Sequence, residues 1–299
     1  MKYLQTSRFH LSGDRKLSYL DSIKWFYNCY LNNLNPLNDI DNRINFKRVN
    51  EVFDCNLDCI ELYSSPSRAM CEMLLRTLNF DDFKNFVGNK IRVLEVGCGS
   101  GVYGLKLNEI LGDAMQSYHG VDIVRNTKWE GFNLDTKFKF TVGDASHITE
   151  YLNGVNFIFT QSALEHFPED LRYFAQVRDY VDSVNHPIFQ IHFLPSAACL
   201  RTYLLHGFRQ YTPRSISMFT KLYSNNSTFE LYSLGGRRLN NLHFLFITLP
   251  WLVFRSDLRK HLGKWYMYYL RVLIKRDFKN WSDNSPAFYA LVIKSNFKN

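Results

Sequence analysis

The chain has 299 residues, of which 46% are hydrophobic and 16% aromatic, and this composition excludes an intrinsically disordered protein. Its formal net charge of +8 favours an anionic partner, which can be a phosphorylated substrate, a nucleic acid or an anionic membrane surface. The longest apolar run, 242–254, contains Pro250 and is too short to span a bilayer as a helix. The first residues lack the apolar core of a signal peptide, and the cysteines show no disulfide framework. We therefore expect a cytoplasmic protein.

The N-terminal part of the chain, 1–85, is predicted to form a helical cap. Apolar side chains recur at three- and four-residue spacing in two segments, 17–31 and 67–80, as they do along an amphipathic helix. Pro66 follows two serines directly before the second segment, which is typical of a helix start.

From about residue 90 onwards, short apolar segments alternate with helical ones. We predict strands at residues 91–96, 117–123, 138–144, 155–161, 187–194, 229–234 and 287–295. Strands separated by helices form right-handed crossovers and a parallel sheet, and the last two strands are expected to form an antiparallel pair. The predicted fold class is therefore α/β, a Rossmann-like doubly wound sheet that is mainly parallel with an antiparallel last strand. The core is expected to cover 86–238, and 283–299 is expected to supply its last strand.

Residues 239–282 are predicted to form an aromatic and basic helical insertion in this core. Within it, 255–279 holds eight Lys or Arg against two Asp. A helical wheel places apolar and basic side chains on different sides: Leu258, Leu262, Trp265, Tyr266, Tyr269, Val272 and Leu273 on one, and Lys260, Lys264, Arg271 and Lys275 on the other. Such a helix can lie on an anionic membrane, pack on the core with a solvated basic face, or bind nucleic acid. The sequence leaves these alternatives open.

The first core strand runs into a glycine-rich turn with the sequence VLEVGCGSG at 93–101. Gly99, Gly101 and Gly104 fit the G-x-G-x-x-G pattern, which in a dinucleotide-binding turn lies against a pyrophosphate. Glu95, however, stands two residues before the first glycine. A carboxylate at that place repels a pyrophosphate and attracts a cationic ligand. The turn is therefore interpreted as a site for a cationic cofactor.

Acidic residues also end the next two predicted strands. Asp122 lies 27 residues after Glu95, and Asp144 follows 22 residues later, which is the spacing of successive strand–helix units. Beyond the end of the second strand an acid can accept both ribose hydroxyls. Gly143, Asp144 and Ala145 offer an acid and a backbone amide to an adenine edge. These positions fit a cofactor that carries adenosine.

The motifs VLEVGCGSG, GVDI, VGDAS and TQSALEHF follow one another over roughly 90–195 and resemble the motif series of class I S-adenosylmethionine-dependent methyltransferases, of a small-molecule or sugar type. In that family the glycine turn holds the methionine part, the strand-2 acid binds the ribose, and the strand-3 acid contacts the adenine. The resemblance implies a methyltransferase core at 86–238 with S-adenosyl-L-methionine as its cofactor. The residues expected to bind this cofactor are Glu95, Gly97, Cys98, Gly99, Gly101, Asp122, Ile123, Asp144, Ala145 and Gln161.

The segment after the fourth core strand, QSALEHF, differs from the N/D-P-P-Y sequence of base and amide N-methyltransferases. A leucine followed by Glu-His is common in family members that act on small molecules and sugars. A hydroxyl acceptor needs a nearby base, and histidine has a suitable pKa. We therefore predict catalytic roles for His166 and His192, with Glu165 in support.

A polar loop, HGFRQYTPRS, follows the fifth core strand. Its residues His206, Arg209, Gln210 and Tyr211 are predicted to bind an anionic or polyhydroxylated substrate. No H-E-x-x-H and no cysteine–histidine ligand spacing is present, so we expect no metal site and an activity that survives chelation.

The sequence therefore predicts a methyltransferase that O-methylates a sugar hydroxyl of a surface glycan, or of its lipid-linked or nucleotide-linked precursor, in polysaccharide biosynthesis. An RNA methyltransferase is the first alternative, because the chain is basic. A cofactor-binding regulator without catalysis is the second. We expect a cytoplasmic location, with peripheral contact to the inner face of the cytoplasmic membrane through 255–279.

Overall fold

The computed structural model describes residues 5–7, 10–48, 57, 60–88, 90–132, 136–279 and 285–296. Within them the chain forms eight strands: β1 (Ile44–Lys47), β2 (Ile91–Val96), β3 (Met115–Asp122), β4 (Phe138–Val142), β5 (Phe157–Gln161), β6 (Ile188–Pro195), β7 (Ser227–Leu234) and β8 (Phe288–Ser295). The α-helices of the same residues are α1 (Tyr19–Asn33), α2 (Pro66–Thr77), α3 (Phe80–Val87), α4 (Val102–Leu111), α5 (Asp170–Ser183), α6 (Pro213–Thr220), α7 (Arg237–His243), α8 (Leu249–Phe254) and α9 (Gly263–Lys279).

The strands form one sheet in the order β1-β7-β8-β6-β5-β2-β3-β4. All neighbours are parallel except β8, which runs antiparallel to both β6 and β7. From β2 the chain first builds outwards through β3 and β4, and it then returns to the other side of β2 to form β5 and β6. In a doubly wound sheet, ligands bind beyond the carboxyl ends of the strands at such a reversal. The predicted Rossmann-like fold class, with its antiparallel last strand, is confirmed.

Helices cover both faces of the sheet, because strands such as β5 and β6 are apolar on both sides and must be buried on both. On one face, α2, α3, α4, α7 and α9 share a hydrophobic cluster with the sheet, in which the rings of Phe83 and Phe189 are 4.4 Å apart. On the other face, α5 and α6 meet through Phe174 and Phe219, whose rings stack at 4.1 Å. The sheet is therefore the middle of three layers.

The N-terminal region differs from the all-helical prediction in one element. Strand β1 lies within the predicted cap and pairs in parallel with β7 from Ile44 to Lys47. Strand β1 has only four residues, one of which is an asparagine, and this is too short a segment to show the alternation of apolar and polar residues that indicates a strand. Its partner β7 also lies far along the chain. Helix α1 is anchored to the core by Trp25, whose buried indole N–H donates to the carbonyl oxygen of Gly207 at 2.9 Å.

In the region 239–282 the helices α7, α8 and α9 are present, and residues 255–262 form a turn between α8 and α9. Tyr266, Leu270 and Ile274 of α9 are buried against the core, whereas Trp265 is 64% exposed and Tyr269 is 43% exposed. Trp265 and Tyr269, which the wheel places on the same side as Tyr266, therefore remain at the surface. Among the helices of the described residues, none combines the length and the hydropathy needed to cross a membrane.

Candidate functional site

A cavity of about 1050 Å³ opens at the carboxyl ends of β2, β3, β4 and β5, where the strand order reverses. Its walls come from the turns after these strands and from two further segments, near His10 to Arg15 and near His206 to Phe208. Of the residues predicted to bind a cofactor, the cavity is lined by Glu95, Gly97, Cys98, Gly99, Asp122, Ile123, Asp144, Ala145 and Gln161. The fold thus brings side chains from four strand ends to one site.

The glycine turn after β2 has a backbone that only glycine adopts without strain. Gly97, Gly99 and Gly101 have φ angles of 74°, 53° and 79°. A Cβ atom on Gly97 would lie 2.4 Å from the Cβ of Ala163, which belongs to the turn after β5. The two turns therefore meet closely at the reversal of the sheet. Gly101 precedes the first residue of α4 and is not among the residues that line the cavity.

Glu95 is a buried carboxyl at the floor of the cavity. Its side chain is 1% exposed and accepts a 2.5 Å hydrogen bond from the Tyr118 hydroxyl. Burial, and to a lesser extent the nearby Asp122, raise the pKa of Glu95 to about 8, although the hydrogen bond from Tyr118 opposes the change. At neutral pH the carboxyl is therefore mostly protonated until a cation approaches. A cationic ligand would stabilise the ionised form.

Asp122 and Asp144 organise the neighbouring turns. The carboxylate of Asp122 accepts the backbone N–H of Gly99 at 2.8 Å through one oxygen and that of Val124 at 3.0 Å through the other. Asp144 accepts the N–H of Ser146 at 2.8 Å and caps the short helical turn that follows β4. A carboxylate has about four lone-pair sites, so both groups retain acceptor capacity toward the cavity. Ile123 adds a large apolar surface that is 70% exposed.

The opposite wall of the cavity carries two histidines between two carboxylates. The Nδ1 atom of His166 is 2.7 Å from an oxygen of Asp14, and Nδ1 of His206 is 3.6 Å from the other oxygen. The Nε2 atoms of the two rings lie 3.9 and 4.0 Å from the same oxygen of Glu165. Glu165 is fully buried beneath the rings and does not line the cavity. His206 is the member of the predicted substrate loop that reaches the site.

Opposing influences act on the pKa values of this cluster. Burial favours a higher pKa of Asp14, but the hydrogen bond and the charge of His166 outweigh it and hold the pKa well below its usual range. For His166, burial favours a lower pKa, but Asp14 and Glu165 raise it overall. The pKa of His206 is lowered, since burial outweighs the attraction of Glu165. The two rings are therefore in different electrostatic environments although they face the same carboxylates.

His192, which the sequence suggested as a catalytic base, lies in the core instead of the cavity. Its side chain is fully buried, with Nδ1 3.0 Å from the Thr160 hydroxyl and Nε2 3.2 Å from the Gln190 side-chain oxygen. Burial lowers the pKa of His192 to about 3, so the ring stays neutral. Both faces of β6 are covered by other elements, so its polar side chains are buried together with its apolar ones. The geometry therefore supports a packing role for this histidine.

Arg209, Gln210 and Tyr211 are also buried and do not line the cavity. Arg209 pairs with Asp170 at 2.9 Å and donates to the carbonyl oxygens of Phe167 and Pro168. Contrary to the sequence-based expectation, these polar side chains therefore point into the protein interior. Arg209 and Tyr211 hold the turn that carries His166, because their donors find backbone and carboxylate acceptors there.

Like Arg209, Gln210 and Tyr211 donate to backbone carbonyl oxygens. The Gln210 amide donates to the carbonyl oxygen of Tyr203 at 3.1 Å, and the Tyr211 hydroxyl donates to that of Leu164 at 2.9 Å. Both bonds fasten the HGFRQY loop to its surroundings. Of the four residues of this loop that were predicted to bind substrate, His206 alone lines the cavity.

Sequence reasoning missed the N-terminal contribution to the cavity. Asp14 lies 152 residues before His166 and belongs to no recognisable motif. Its segment is held by a backbone bond from Gly13 to the carbonyl oxygen of Gly207 at 2.7 Å, and Gly207 in turn donates to Asp14 at 3.1 Å. The Ser-Gly-Asp sequence signals a turn, but no sequence pattern indicates where that turn packs.

The chain was compared with known proteins. A scan against known protein families gave no match, and a search among curated protein sequences gave none. Among solved structures, it is similar to a putative sarcosine dimethylglycine methyltransferase from Galdieria sulphuraria, with 13% identity over 80% of this chain and 92% of that one and a TM-score of 0.48. The [4+2]-cyclase SpnF has 12% identity over 80% and 85% of the two chains, also with a TM-score of 0.48.

A third similar structure is the phosphoethanolamine N-methyltransferase 2 of Haemonchus contortus, in complex with phosphomonomethylethanolamine and S-adenosylhomocysteine. It has 13% identity over 74% of this chain and 52% of that one, with a TM-score of 0.43. These similarities concern the fold alone. We therefore base the function on the residues of this protein.

The raised pKa of Glu95 makes the stability of the unliganded protein depend on pH. In the folded protein Glu95 keeps its proton up to about pH 8, whereas the unfolded chain loses this proton near pH 4.5. The free energy of unfolding therefore falls as the pH rises from about 4.5 to about 8, and the contribution of Glu95 is constant above that range. Glu95→Gln removes this loss and keeps an acceptor for Tyr118. We expect the variant to match the wild type near pH 4.5 and to exceed it by more than about 1 kcal/mol at pH 8. Urea denaturation at both pH values measures this difference.

The exposed Glu150 provides the matched control, since Glu150→Gln should leave the pH dependence of stability unchanged. Equal stability of Glu95→Gln and wild type at pH 8 would contradict the assignment of a buried, uncompensated carboxyl to Glu95.

Proposed function

We propose that this protein is an S-adenosylmethionine-dependent methyltransferase. The observation that carries the proposal is the buried Glu95 beneath the glycine turn, at the reversal of a doubly wound sheet. A pyrophosphate at this turn would oppose the ionisation of Glu95, whereas a cationic ligand is stabilised by the ionised carboxylate. The cavity is thereby suited to a sulfonium cofactor with an amino-acid end rather than to a dinucleotide.

The residues of the cavity fit the parts of this cofactor. Glu95 and the backbone at Gly97 would hold the positively charged methionine part, and Asp122 would accept the ribose hydroxyls. Ile123 offers an apolar surface to the adenine, and Asp144 offers an acceptor to its edge. When bound, S-adenosylmethionine supplies an electrophilic methyl group. A volume of about 1050 Å³ is at the upper end of the range for small-molecule sites and leaves room for an acceptor.

The wall formed by His166, His206 and Asp14 is the proposed acceptor end. Methyl transfer needs an acceptor that is aligned and that loses a proton. Partly exposed imidazoles and a carboxylate can orient a hydroxyl and accept its proton. Arg15 and Arg68 line the same cavity and can neutralise a phosphate on the acceptor. These features support O-methylation of a sugar hydroxyl of a surface glycan or of its nucleotide-linked or lipid-linked precursor.

An exposed apolar surface near α8 supports peripheral contact with an anionic membrane. Trp251, Val253 and Phe254 are 52%, 60% and 73% exposed at the end of α8, and Trp265 of α9 is 64% exposed. Basic residues follow directly: Arg255, Lys260, Lys264 and Arg271 are all exposed. Aromatic side chains beside basic ones are typical of a surface that inserts into anionic lipid headgroups. Such contact would suit a lipid-linked acceptor.

The first prediction under this proposal concerns the cofactor. Asp122→Ala should weaken the binding of S-adenosylmethionine about 10–100-fold, because one or two charge-assisted hydrogen bonds are lost. Isothermal titration calorimetry measures the affinity. Asp113→Ala changes an exposed aspartate outside the cavity and should bind as the wild type does. No binding by the wild type, or equal affinity in Asp122→Ala, would refute the cofactor assignment.

The second prediction concerns turnover. His166→Ala should lower transfer of a radiolabelled methyl group by at least about 100-fold, because the acceptor loses its orienting and proton-accepting partner. Cofactor affinity should stay within about threefold, since His166 lies outside the glycine turn. The exposed His261 provides the control variant, His261→Ala. Full turnover in His166→Ala would mean that this residue has no part in catalysis.

The acceptor class is tested by offering nucleotide sugars, lipid-linked glycans and RNA separately with the labelled cofactor. Label in the glycan fractions supports the proposed acceptor. Label in RNA alone would replace it with an RNA methyltransferase, and cofactor binding without label in any fraction would favour a non-catalytic regulator. Mass spectrometry of glycans from cells with and without the protein then locates the added methyl group.

The third prediction concerns the membrane. The combined change Lys260→Glu, Lys264→Glu and Arg271→Glu should weaken binding to phosphatidylserine-containing vesicles by at least about 100-fold, since each basic residue near such a surface contributes about 1 kcal/mol. Vesicle flotation measures the bound fraction. The same reversal at the exposed Lys90, Lys128 and Lys139 controls for net charge. Undiminished flotation of the first variant would show that α9 packs as a lid instead.

A further inference from the structure

Three side chains from distant segments meet on one wall of the cavity. One potential ligand atom from each of Asp14, His166 and His206 lies within 4.8 Å of the other two. We propose that these side chains form a binding site for a divalent transition-metal ion. The site is assembled by tertiary contacts alone, which is why the absence of a short ligand motif led the sequence analysis to expect none.

The distances within the cluster suit a small metal ion. The carboxylate oxygens of Asp14 lie 2.7 Å from Nδ1 of His166 and 3.6 Å from Nδ1 of His206. In a tetrahedral site with bonds of about 2.0–2.1 Å, ligand atoms lie about 3.4 Å apart. The two rings are nearly perpendicular, at 88°, with their centroids 4.7 Å apart. Side-chain movements within this 4.8 Å cluster would bring both nitrogens and the carboxylate to ligand positions.

Glu165 gives independent support, because it is a buried carboxyl that both Nε2 atoms approach. Its Oε1 atom accepts a hydrogen bond from the Ser162 hydroxyl and lies 3.9 Å and 4.0 Å from the Nε2 atoms of His166 and His206, beyond hydrogen-bond distance. Its Oε2 atom is buried and has no hydrogen-bond partner among the described residues. Metal-binding histidines almost always donate their second ring N–H to a carboxylate or carbonyl group.

Backbone contacts hold the three segments in place. A Cβ on Gly13 would lie 2.2 Å from the carbonyl carbon of Leu205, so the chain beside Asp14 packs directly on the chain beside His206. The N–H of Phe208 donates to the carbonyl oxygen of Glu165 at 2.7 Å. The candidate ligands are thus fixed to one another by the backbone, and only small rotations of their side chains are needed.

The donor set selects the class of metal. Two imidazoles and one carboxylate favour Zn²⁺, Co²⁺ or Fe²⁺ over Mg²⁺ and Ca²⁺, which prefer oxygen ligands. The side chains of Asp14, His166 and His206 are between 34% and 40% exposed, so coordination positions remain open toward the cavity. If the proposed function holds, His166 would act on the acceptor as a ligand of the ion instead of as the proton acceptor, because a hydroxyl bound to the ion has a lowered pKa and loses its proton more easily.

The test uses full-length protein without a histidine tag, stripped with a chelator and titrated with Co²⁺ and with Zn²⁺. Visible absorption reports the Co²⁺ ligand field, and elemental analysis gives the Zn²⁺ bound per chain. We expect one ion per chain and a loss of affinity of at least about 100-fold in His206→Ala and in Asp14→Asn. Glu165→Gln should cost about 10–100-fold, as changes of outer-shell partners do. His261→Ala is the matched control and should bind as the wild type does.

Urea denaturation of each variant verifies that the chain is folded, and Asp14→Asn keeps the shape of the side chain. Failure of the wild type to bind one ion, or equal affinity in folded His206→Ala, would overturn the proposal. Calorimetry with S-adenosylmethionine on the same preparations tests the proposed function separately. A chain that binds the ion but not the cofactor would support the metal site and contradict the methyltransferase.

Discussion

The burial of Glu95 is the constraint on which the functional interpretation of this fold depends. A carboxyl group at the end of a central strand, with Tyr118 as its hydrogen-bond donor, is costly to ionise in the free protein. The chain retains it at the point where the sheet reverses and where the glycine turn leaves space. Such a group is most useful to a protein that binds a cation there, because the ligand supplies the charge that the fold does not.

The opposite wall of the cavity depends on a buried ion pair for its geometry. Arg209 and Asp170 are both essentially inaccessible, and breaking a buried pair of this kind costs about 3–5 kcal/mol. Arg209 also donates to the carbonyl oxygens of Phe167 and Pro168, directly after His166. Arg209, which the sequence suggested as a substrate-binding residue, therefore acts on the site indirectly. It fixes the turn from which His166 reaches the cavity.

Local patterns in the sequence were sufficient for most of the sheet and for the cofactor half of the cavity. Strand ends and the glycine turn are encoded by neighbouring residues, so Glu95, Asp122 and Asp144 could be located from spacing. The other half depends on tertiary contacts. Nothing near Asp14 indicates that it faces His166, and a polar residue such as His192 looks the same in sequence whether it lines a cavity or satisfies a buried hydroxyl. The wheel of α9 places Trp265 and Tyr266 on one side although only Tyr266 is buried, because a wheel does not specify which arc of an aromatic helix packs on the core.

The central claim is that Glu95 binds the positive charge of S-adenosylmethionine, and proton release on binding tests it most directly. Calorimetric titrations at pH 7 in buffers of different ionisation enthalpy give the number of protons released. Because the free carboxyl is mostly protonated and a cation favours its ionised form, the wild type should release close to one proton, and Glu95→Gln should release almost none. Binding heats that do not depend on the buffer, or equal proton release in the wild type and the variant, would contradict the account.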